Sequence, residues 1–252
     1  MLANVTFKMK ERMALLPSWR QIAKALSVSY LCALAIAATT QNTDLLEARD
    51  RGDRASLDRL IQQAKQTAES NASSAGAQYR LALAYSYGAE IAMEQHDKKQ
   101  AESLAEAGLD PAQKAISLEG SNAEYHRLRG ALCGQVIPAN PFVGALKYGQ
   151  CARDEINKAI QLNGGLALAY VSRGVGNYYL PASMGGGPEL AVQDFDKAIS
   201  LDPKLADSYL WKGITLRKEN RNAEARKALE QAVRLAPHRV WAKEQLQKTP
   251  AS

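Results

Sequence analysis

The chain has 252 residues, of which 46% are hydrophobic but only 6% aromatic, and its net charge is +6. This length can form a core for one or two domains, and the composition indicates a globular protein built mainly of helices. Residues 1–38 hold five basic residues and one acidic residue, which leaves a net charge of only +2 for the rest of the chain. The charge therefore gives no evidence for nucleic-acid binding, which needs a clustered basic face, and we expect no nucleic-acid partner.

The N-terminal segment is typical of a secretory signal peptide. Basic residues precede an apolar run, ALSVSYLCALAIAA at 25–38, which is shorter than the roughly 20 residues that span a bilayer. The small residues of Ala35-Ile36-Ala37 allow cleavage near Ala37. An amphipathic or buried N-terminal helix is the alternative interpretation. We expect a signal peptide at 1–38, a periplasmic or secreted location, and no membrane-spanning segment after cleavage.

A short motif recurs along the rest of the chain. Its four copies are AQKAISLEG (112–120), INKAIQLNG (156–164), FDKAISLDP (195–203) and LEQAVRLAP (229–237). Pro203 and Pro237 lie 34 residues apart, and the spacing between equivalent residues grows toward the N-terminus. Proline ends a helix because it cannot continue the hydrogen-bond ladder. The pattern predicts stacked helical hairpins, with close helix contacts at small residues such as Gly213 and Ala225.

These motifs resemble the tetratricopeptide repeat (TPR), a helix–turn–helix unit of 34 residues. The resemblance implies an all-α fold: a right-handed α-solenoid of about five hairpins with a C-terminal capping helix that carries Trp241. We expect this domain to span 39–252, with hairpins at about 43–70, 75–119, 123–163, 167–202 and 206–236 and the cap at about 238–248. We interpret the wider spacing of the earlier units as longer turns. Gly108 and Pro111 are expected to kink or break the second helix of the second hairpin.

Cys133 and Cys151 are centred on a predicted turn that contains Pro138 and Pro141. Residues equidistant from the turn of an antiparallel hairpin lie opposite each other, so the two thiols can meet. A disulfide would suit an exported protein, whereas two buried, reduced cysteines are the alternative.

Gly185–Gly187 lie between two predicted helices, and no lysine or strand of a phosphate-binding loop accompanies them. We interpret this glycine run as an enlarged turn, with an anion nest or a partner contact as the alternative. The segment from Tyr178 to Gly187 is similar to bacterial exported TPR proteins, including the T-component of tripartite periplasmic (TRAP-type) transporters. That resemblance implies a periplasmic protein that handles a ligand or docks a partner, and it allows an oligomer.

The sequence offers little for catalysis. Its three histidines, His96, His126 and His238, have no partners at metal-ligand or catalytic spacing, and no nucleophile elbow occurs. We therefore expect no enzyme activity, no cofactor and no metal.

The concave groove of the predicted solenoid is the expected functional surface. The first helices are expected to direct several aromatic and basic side chains into it: Tyr79, Tyr87, Arg127, Tyr178 and Arg217. Such a surface suits a protein or peptide partner. The alternatives are ordinary packing between helices and a small organic ligand bound by an accessory subunit of a periplasmic transport system.

Overall fold

A computed structural model describes residues 42–137 and 141–251, which consist of helices and the turns between them. The signal peptide expected at 1–38 lies outside these residues. Eleven α-helices are described: α1 (42–51), α2 (Arg54–Ser70), α3 (Ala75–Glu94), α4 (Lys98–Leu118), α5 (Ala123–Val136), α6 (Pro141–Leu162), α7 (Ala167–Tyr179), α8 (Pro188–Leu201), α9 (Ala206–Lys218), α10 (Asn222–Leu235) and α11 (Val240–Gln247).

The helices follow one another as repeating pairs. Helices α3 and α4, α5 and α6, α7 and α8, and α9 and α10 pack most extensively within their pairs. The first helices also pack on one another in succession, from α3 to α5, α7, α9 and α11. The all-α repeat fold predicted from the sequence is confirmed, and one layer of first helices runs through the array.

Side-chain caps begin the helices of the N-terminal half. Asp53, Ser74, Asp97 and Asn122 each accept a hydrogen bond from a backbone N–H of the first turn that follows. Such caps satisfy donors that have no partner within the helix. The turns between these helices can therefore be short.

Close contact within the later pairs depends on glycine. A Cβ atom at Gly213 would lie 2.5 Å from Leu229 Cγ and 3.0 Å from the carbonyl oxygen of Ala225, and one at Gly174 would lie 2.5 Å from Phe195 Cε1. Phe195 and Leu229 are fully buried. The contact expected at Gly213 and Ala225 is thus present, and larger residues of the partner helix fill the space that each glycine leaves.

Longer helices, and not the longer turns expected, account for the wider spacing of the second and third pairs, since α4 and α6 have 21 and 22 residues and only 95–97 separate α3 from α4. In the fourth pair the longer turn is present, because 180–187 separate α7 from α8. The helix break expected at Gly108 and Pro111 was wrong, because α4 continues through both residues, which are buried. A Cβ atom at Gly108 would lie 2.7 Å from Leu132 Cδ2. Packing against α3 and α5 therefore holds α4 together, although an internal proline costs roughly 3 kcal/mol.

A disulfide joins Cys133 of α5 to Cys151 of α6, with 18 residues of sequence separation and a Cα–Cα distance of 6.0 Å. Cys133 is almost fully buried. The bond lies inside the third pair, at the place where the sequence allows the two thiols to meet.

Candidate partner-binding surface

Four aromatic side chains form a continuous row along the later first helices. Tyr178 and Tyr179 end α7, Trp211 lies on α9, and Trp241 lies on α11. The ring centroids of Tyr178 and Trp211 are 5.8 Å apart, those of Tyr179 and Trp211 are 6.3 Å apart, and those of Trp211 and Trp241 are 5.2 Å apart, all edge to face. We call these four residues the aromatic row.

The aromatic row is anchored from beneath and open above. Tyr178, Trp211 and Trp241 pack against a buried cluster that includes Leu210 and Ile214. Tyr179 remains 55% exposed. The row therefore has fixed ring positions and still presents apolar surface to a partner.

Additional apolar surface lies beside Tyr179. Leu180 is 37% exposed, and Met184 is 66% exposed. Both belong to the turn that leads into α8 and directly follows Tyr179 in the chain.

Two cations border the Tyr178 end of the row. Lys218 Nζ lies 4.4 Å from the Tyr178 ring centroid and donates a hydrogen bond to the Tyr178 carbonyl oxygen at 3.3 Å. Arg217 donates to the carbonyl oxygen and side-chain Oε1 of Gln245, at 2.9 and 2.6 Å. Desolvation raises the pKa of the Tyr178 phenol, and the positive charge of Arg217 partly offsets that shift. The phenol therefore stays neutral and can donate a hydrogen bond.

The glycine run, Gly185–Gly187, forms a compact turn that follows this end of the row in the chain. Gly187 N donates to the carbonyl oxygen of Asn177 at 2.9 Å, and Gly186 N donates to that of Pro181 at 3.1 Å. A Cβ atom at Gly186 would lie 2.3 Å from the carbonyl oxygen of Leu180. These amide groups are already bonded within the chain, so the turn forms no anion nest at these two residues.

The other expected groove residues lie in the N-terminal half and contact the chain itself. Tyr79 Oη donates to Glu124 Oε1 at 3.0 Å. Arg127 is buried and donates to both oxygens of Glu124, at 2.6 and 2.7 Å. The Tyr87 ring lies under the guanidinium of Arg49, 5.0 Å away. These three residues are not members of the aromatic row. The polar groups of Tyr79 and Arg127 have partners within the chain, and Arg49 covers the face of the Tyr87 ring.

A group of charged residues links the two ends of the repeat array. We call it the charged junction, and it comprises Arg49, Asp50, Glu90, Glu94, Asp207 and Arg239. Arg49 Nη1 lies 2.8 Å from Asp207 Oδ2, across 158 residues of sequence. Arg239 Nη1 donates to Glu94 Oε2 at 3.0 Å and to the carbonyl oxygen of Arg49 at 3.3 Å. The junction thus connects α1 and α3 to α9 and to the start of α11.

Burial and charge act in opposite directions on the carboxylates of the charged junction. Burial raises the pKa of Glu94 to about 7, although Arg239 favours its ionised form, and burial also raises the pKa of Glu90. Burial also acts to raise the pKa of Asp207, but the positive charges of Arg49 and Arg239 outweigh it and leave this pKa below the ordinary value. Two guanidinium groups face four carboxylates here, so the junction favours binding a proton near neutral pH.

Sequence reasoning did not identify Trp211, Trp241 or Tyr179 as members of a partly exposed aromatic row. Trp241 is predicted only as part of the cap, and Tyr179 only as a neighbour of Tyr178. The available signal was a Tyr or Trp on three successive first helices, at Tyr178, Trp211 and Trp241.

The part of the chain that the structure describes contains no cluster of three or more His, Cys, Asp or Glu residues able to hold a metal ion. Among these same residues, no helix is both long enough and apolar enough to cross a membrane.

Two family models match the chain. One is described as regulator of microtubule dynamics protein 1-3 and matches residues 39–181. The other is described as a tetratricopeptide repeat and matches residues 195–227. A relative, regulator of microtubule dynamics protein 3 from Xenopus laevis, is 34% identical over 92 residues, which are 36% of this chain and 19% of the frog protein. The chain thus spans about a fifth of the length of that relative.

Solved structures share the fold. A thermophilic TPR protein in Thermus thermophilus has a TM-score of 0.56 and 15% identity, over 77% of this chain and 92% of that one. The HusA haemophore from Porphyromonas gingivalis has a TM-score of 0.53 and 23% identity, over 65% of this chain and 79% of that one. Together with the repeat match, these similarities identify a TPR solenoid.

Proposed function

We propose that this chain, which belongs to the regulator of microtubule dynamics protein 1-3 family, is a TPR scaffold that binds a protein or peptide partner on its aromatic row. The observation that carries the proposal is the row itself. Three successive first helices each contribute a Tyr or Trp to one partly exposed, contiguous surface. Contiguous exposed apolar surface marks interaction sites more reliably than scattered apolar residues do.

The chemistry of the row suits a binding hot spot. Tyr and Trp are enriched among the residues that dominate the binding energy of protein interfaces, because they bury a large area with only two rotatable side-chain bonds and retain a polar group. The rings already pack against each other and against the core, so binding costs little side-chain entropy. The N-terminal half offers less, because Tyr79, Tyr87 and Arg127 contact other residues of the chain.

Affinity capture with the full chain from extracts of its native host tests the proposal. Tyr179→Ala removes exposed aromatic surface from the row, and Tyr148→Ala removes a tyrosine on α6, outside the row, whose Oη donates to Glu106. We expect a specific partner that wild type and Tyr148→Ala retain and that Tyr179→Ala binds at least tenfold more weakly. Equal capture by all three proteins would count against the row as the binding surface.

Action on microtubules is a second candidate function. The matching family and the frog relative both carry regulation of microtubule dynamics in their descriptions. Cosedimentation of the purified chain with polymerised tubulin tests this candidate. If the chain pellets only with polymerised tubulin, and Tyr179→Ala does not, the aromatic row is the surface that binds microtubules. If the chain does not pellet, it does not act on microtubules by binding them directly.

Export and small-ligand binding, both expected from the N-terminal segment and the glycine run, are separate proposals. N-terminal sequencing of the mature protein tests cleavage near Ala37, and an intact residue 1 would contradict it. A pocket of about 50 Å³ beside Trp241, lined in part by Glu94 and Glu244, is smaller than the roughly 300 Å³ or more of organic-ligand sites. This pocket is therefore too small for an organic ligand.

A further inference from the structure

We propose that the charged junction is a pH-sensitive latch, which holds the two ends of the repeat array together below neutral pH and releases them above it. The array then has a closed form, which this structure shows, and an open form in which the ends are apart. The latch concerns the junction alone and does not depend on the partner proposed for the aromatic row.

The junction connects parts of the chain that a solenoid keeps apart. In a repeat array each repeat contacts only its neighbours. Here Arg49 of α1 pairs with Asp207 of α9 at 2.8 Å, and Arg239, which precedes α11, donates to the Arg49 carbonyl oxygen at 3.3 Å. Helices α5 to α8 lie between these two ends in the chain. Because contacts between neighbouring repeats do not depend on the junction, the ends can separate while every repeat stays folded.

Buried charges make this closure weak. Only 8% of the Arg49 side chain and 4% of the Arg239 side chain are exposed. The cost of removing such charges from water largely cancels their attraction to the carboxylates. Packing between the ends is also incomplete, because residues of both ends, including Ile91 of α3 and Trp241 of α11, line the small pocket beside Glu94. A change of one charge therefore shifts the balance between the closed and the open form.

The closed junction has more negative than positive groups. Two guanidinium groups face the carboxylates of Asp50, Glu90, Glu94 and Asp207. A proton on one carboxylate reduces this excess of negative charge. Glu94 is the group best placed to take it, because burial raises its pKa to about 7. Burial also raises the pKa of Glu90, which adds to the effect in the same direction.

Opening of the latch releases this proton. In the open form water reaches Glu94, and a glutamate in water has a pKa of about 4.3, compared with about 7 in the closed form. Between these two values the closed form holds a proton that the open form lacks, so closure is favoured at low pH and lost as the pH rises through about 7. For these values the ratio of open to closed form rises about tenfold between pH 6 and pH 8.

The groups that surround the junction from other helices keep one charge state in this range. Burial raises the pKa of Tyr87 on α3 to about 12, and Arg127 on α5 carries a guanidinium, which stays charged. Asp207 on α9 stays ionised, because the two guanidinium groups of the junction outweigh its burial and lower its pKa. On the side of α2 and α4, Arg54 and Asp97 pair with each other at 3.4 Å.

Three further titratable groups lie close to Glu94 or Arg239. Glu244 of α11 lines the same pocket as Glu94 and pairs with Lys248 at 3.7 Å. His96 and His238 are near these residues in the chain and are exposed. Since histidines also titrate near neutral pH, a test of the latch has to isolate Glu94 by substitution.

Single-molecule FRET on the full chain tests the latch. Dyes are attached to Glu47→Cys on α1 and Lys243→Cys on α11, both exposed positions. Cys32→Ser removes the remaining free thiol, because Cys133 and Cys151 are joined in a disulfide. We expect two populations, and the open one, with lower FRET efficiency, should rise about tenfold relative to the closed one from pH 6 to pH 8.

A second pair of dyes checks that the repeats stay folded. Lys158→Cys on α6 and Lys197→Cys on α8 are exposed positions on neighbouring repeats, outside the junction. This pair should give one population with the same FRET efficiency at pH 6 and pH 8.

Two substitutions assign the effect to the junction. Glu94→Gln resembles the protonated side chain, so it should stay closed at both pH values, whereas Glu69→Gln on the exposed surface of α2 should open as wild type does. Arg239→Met removes the cation that bonds to Glu94 and should raise the ratio of open to closed form at least tenfold at pH 6. Its control, Arg234→Met, changes an exposed arginine of α10 that donates to Gln231 and should match wild type.

Three results would overturn the latch. The first is a single population at both pH values in wild type. The second is an equal change in the pair on α6 and α8, because the repeats themselves would then loosen. The third is opening of Glu94→Gln to the same extent as wild type, which would assign the proton to another group. Partner capture by the row is measured separately, so the latch and the proposed function can fail independently.

Discussion

Removing the carboxylate of Glu94 should change how stability depends on pH. Glu94 is mostly buried, with 13% of its side chain exposed, and it pairs with Arg239 in the charged junction. Burial raises its pKa to about 7, whereas an unperturbed glutamate in the unfolded chain has a pKa of about 4.3. The substitution Glu94→Gln keeps the shape and one hydrogen-bond acceptor but does not titrate.

The direction in which stability changes with pH follows from the folded and unfolded pKa values of Glu94. Between about pH 4.3 and pH 7 the unfolded state releases this proton and the folded state keeps it, so stability falls as pH rises through this range. Well above pH 7 Glu94 is ionised in both the folded and the unfolded state, and its contribution to stability is then fully lost. For this pair of values, the free energy of unfolding should fall by about 1 kcal/mol between pH 6 and pH 8 through Glu94 alone.

Urea unfolding at pH 6, 7 and 8 measures the effect. Across this range, wild type should lose about 1 kcal/mol more of its unfolding free energy than Glu94→Gln does. The control Glu69→Gln changes an exposed residue of α2 and should give the same profile as wild type. The histidines are present in all three proteins, so the difference between the profiles isolates Glu94. Parallel profiles for wild type and Glu94→Gln would refute the raised pKa and the proton-binding junction.

Two further predictions concern the packing of the repeats. Gly213→Ala should destabilise the protein by about 1–3 kcal/mol in urea unfolding, because its Cβ atom would meet Leu229 at 2.5 Å. The control is Gly176→Ala, at a helical position with no atom within 4 Å of the added Cβ, which should be neutral or slightly stabilising. A greater loss of stability in Gly176→Ala than in Gly213→Ala would contradict the close contact. Replacing Cys133 and Cys151 together with Ser should cost about 3 kcal/mol in the chain-entropy model. In wild type, alkylation of both thiols without a reductant, detected by mass spectrometry, would contradict the disulfide.

The repeat pattern predicts the pairing of helices because close contact requires small residues at fixed positions. Gly213 and Ala225 show this directly, since the space at their contact admits no larger side chain. The lengths of the earlier helices were less predictable. Pro111 indicates a break by local rules, but tertiary packing on both sides of α4 overrides its cost.

The candidate site was predictable only in part, because it depends on how repeats rotate relative to one another. Tyr178 was expected at the surface of the groove and lies in the aromatic row. Trp211 joins it from the next first helix, and the small rotation between repeats that brings the two together is not encoded in local spacing. The same accumulated rotation brings Arg49 to Asp207 across 158 residues, a contact that no local motif indicates.

Photo-crosslinking tests the aromatic row as the partner surface most directly. Benzoylphenylalanine is introduced in place of Tyr179, and in parallel in place of Tyr148 on α6, in the full chain within its native host. A cross-linked adduct of the partner should form from position 179 and not from position 148. An adduct that forms equally from both positions, or only from position 148, would contradict the assignment of partner binding to the row.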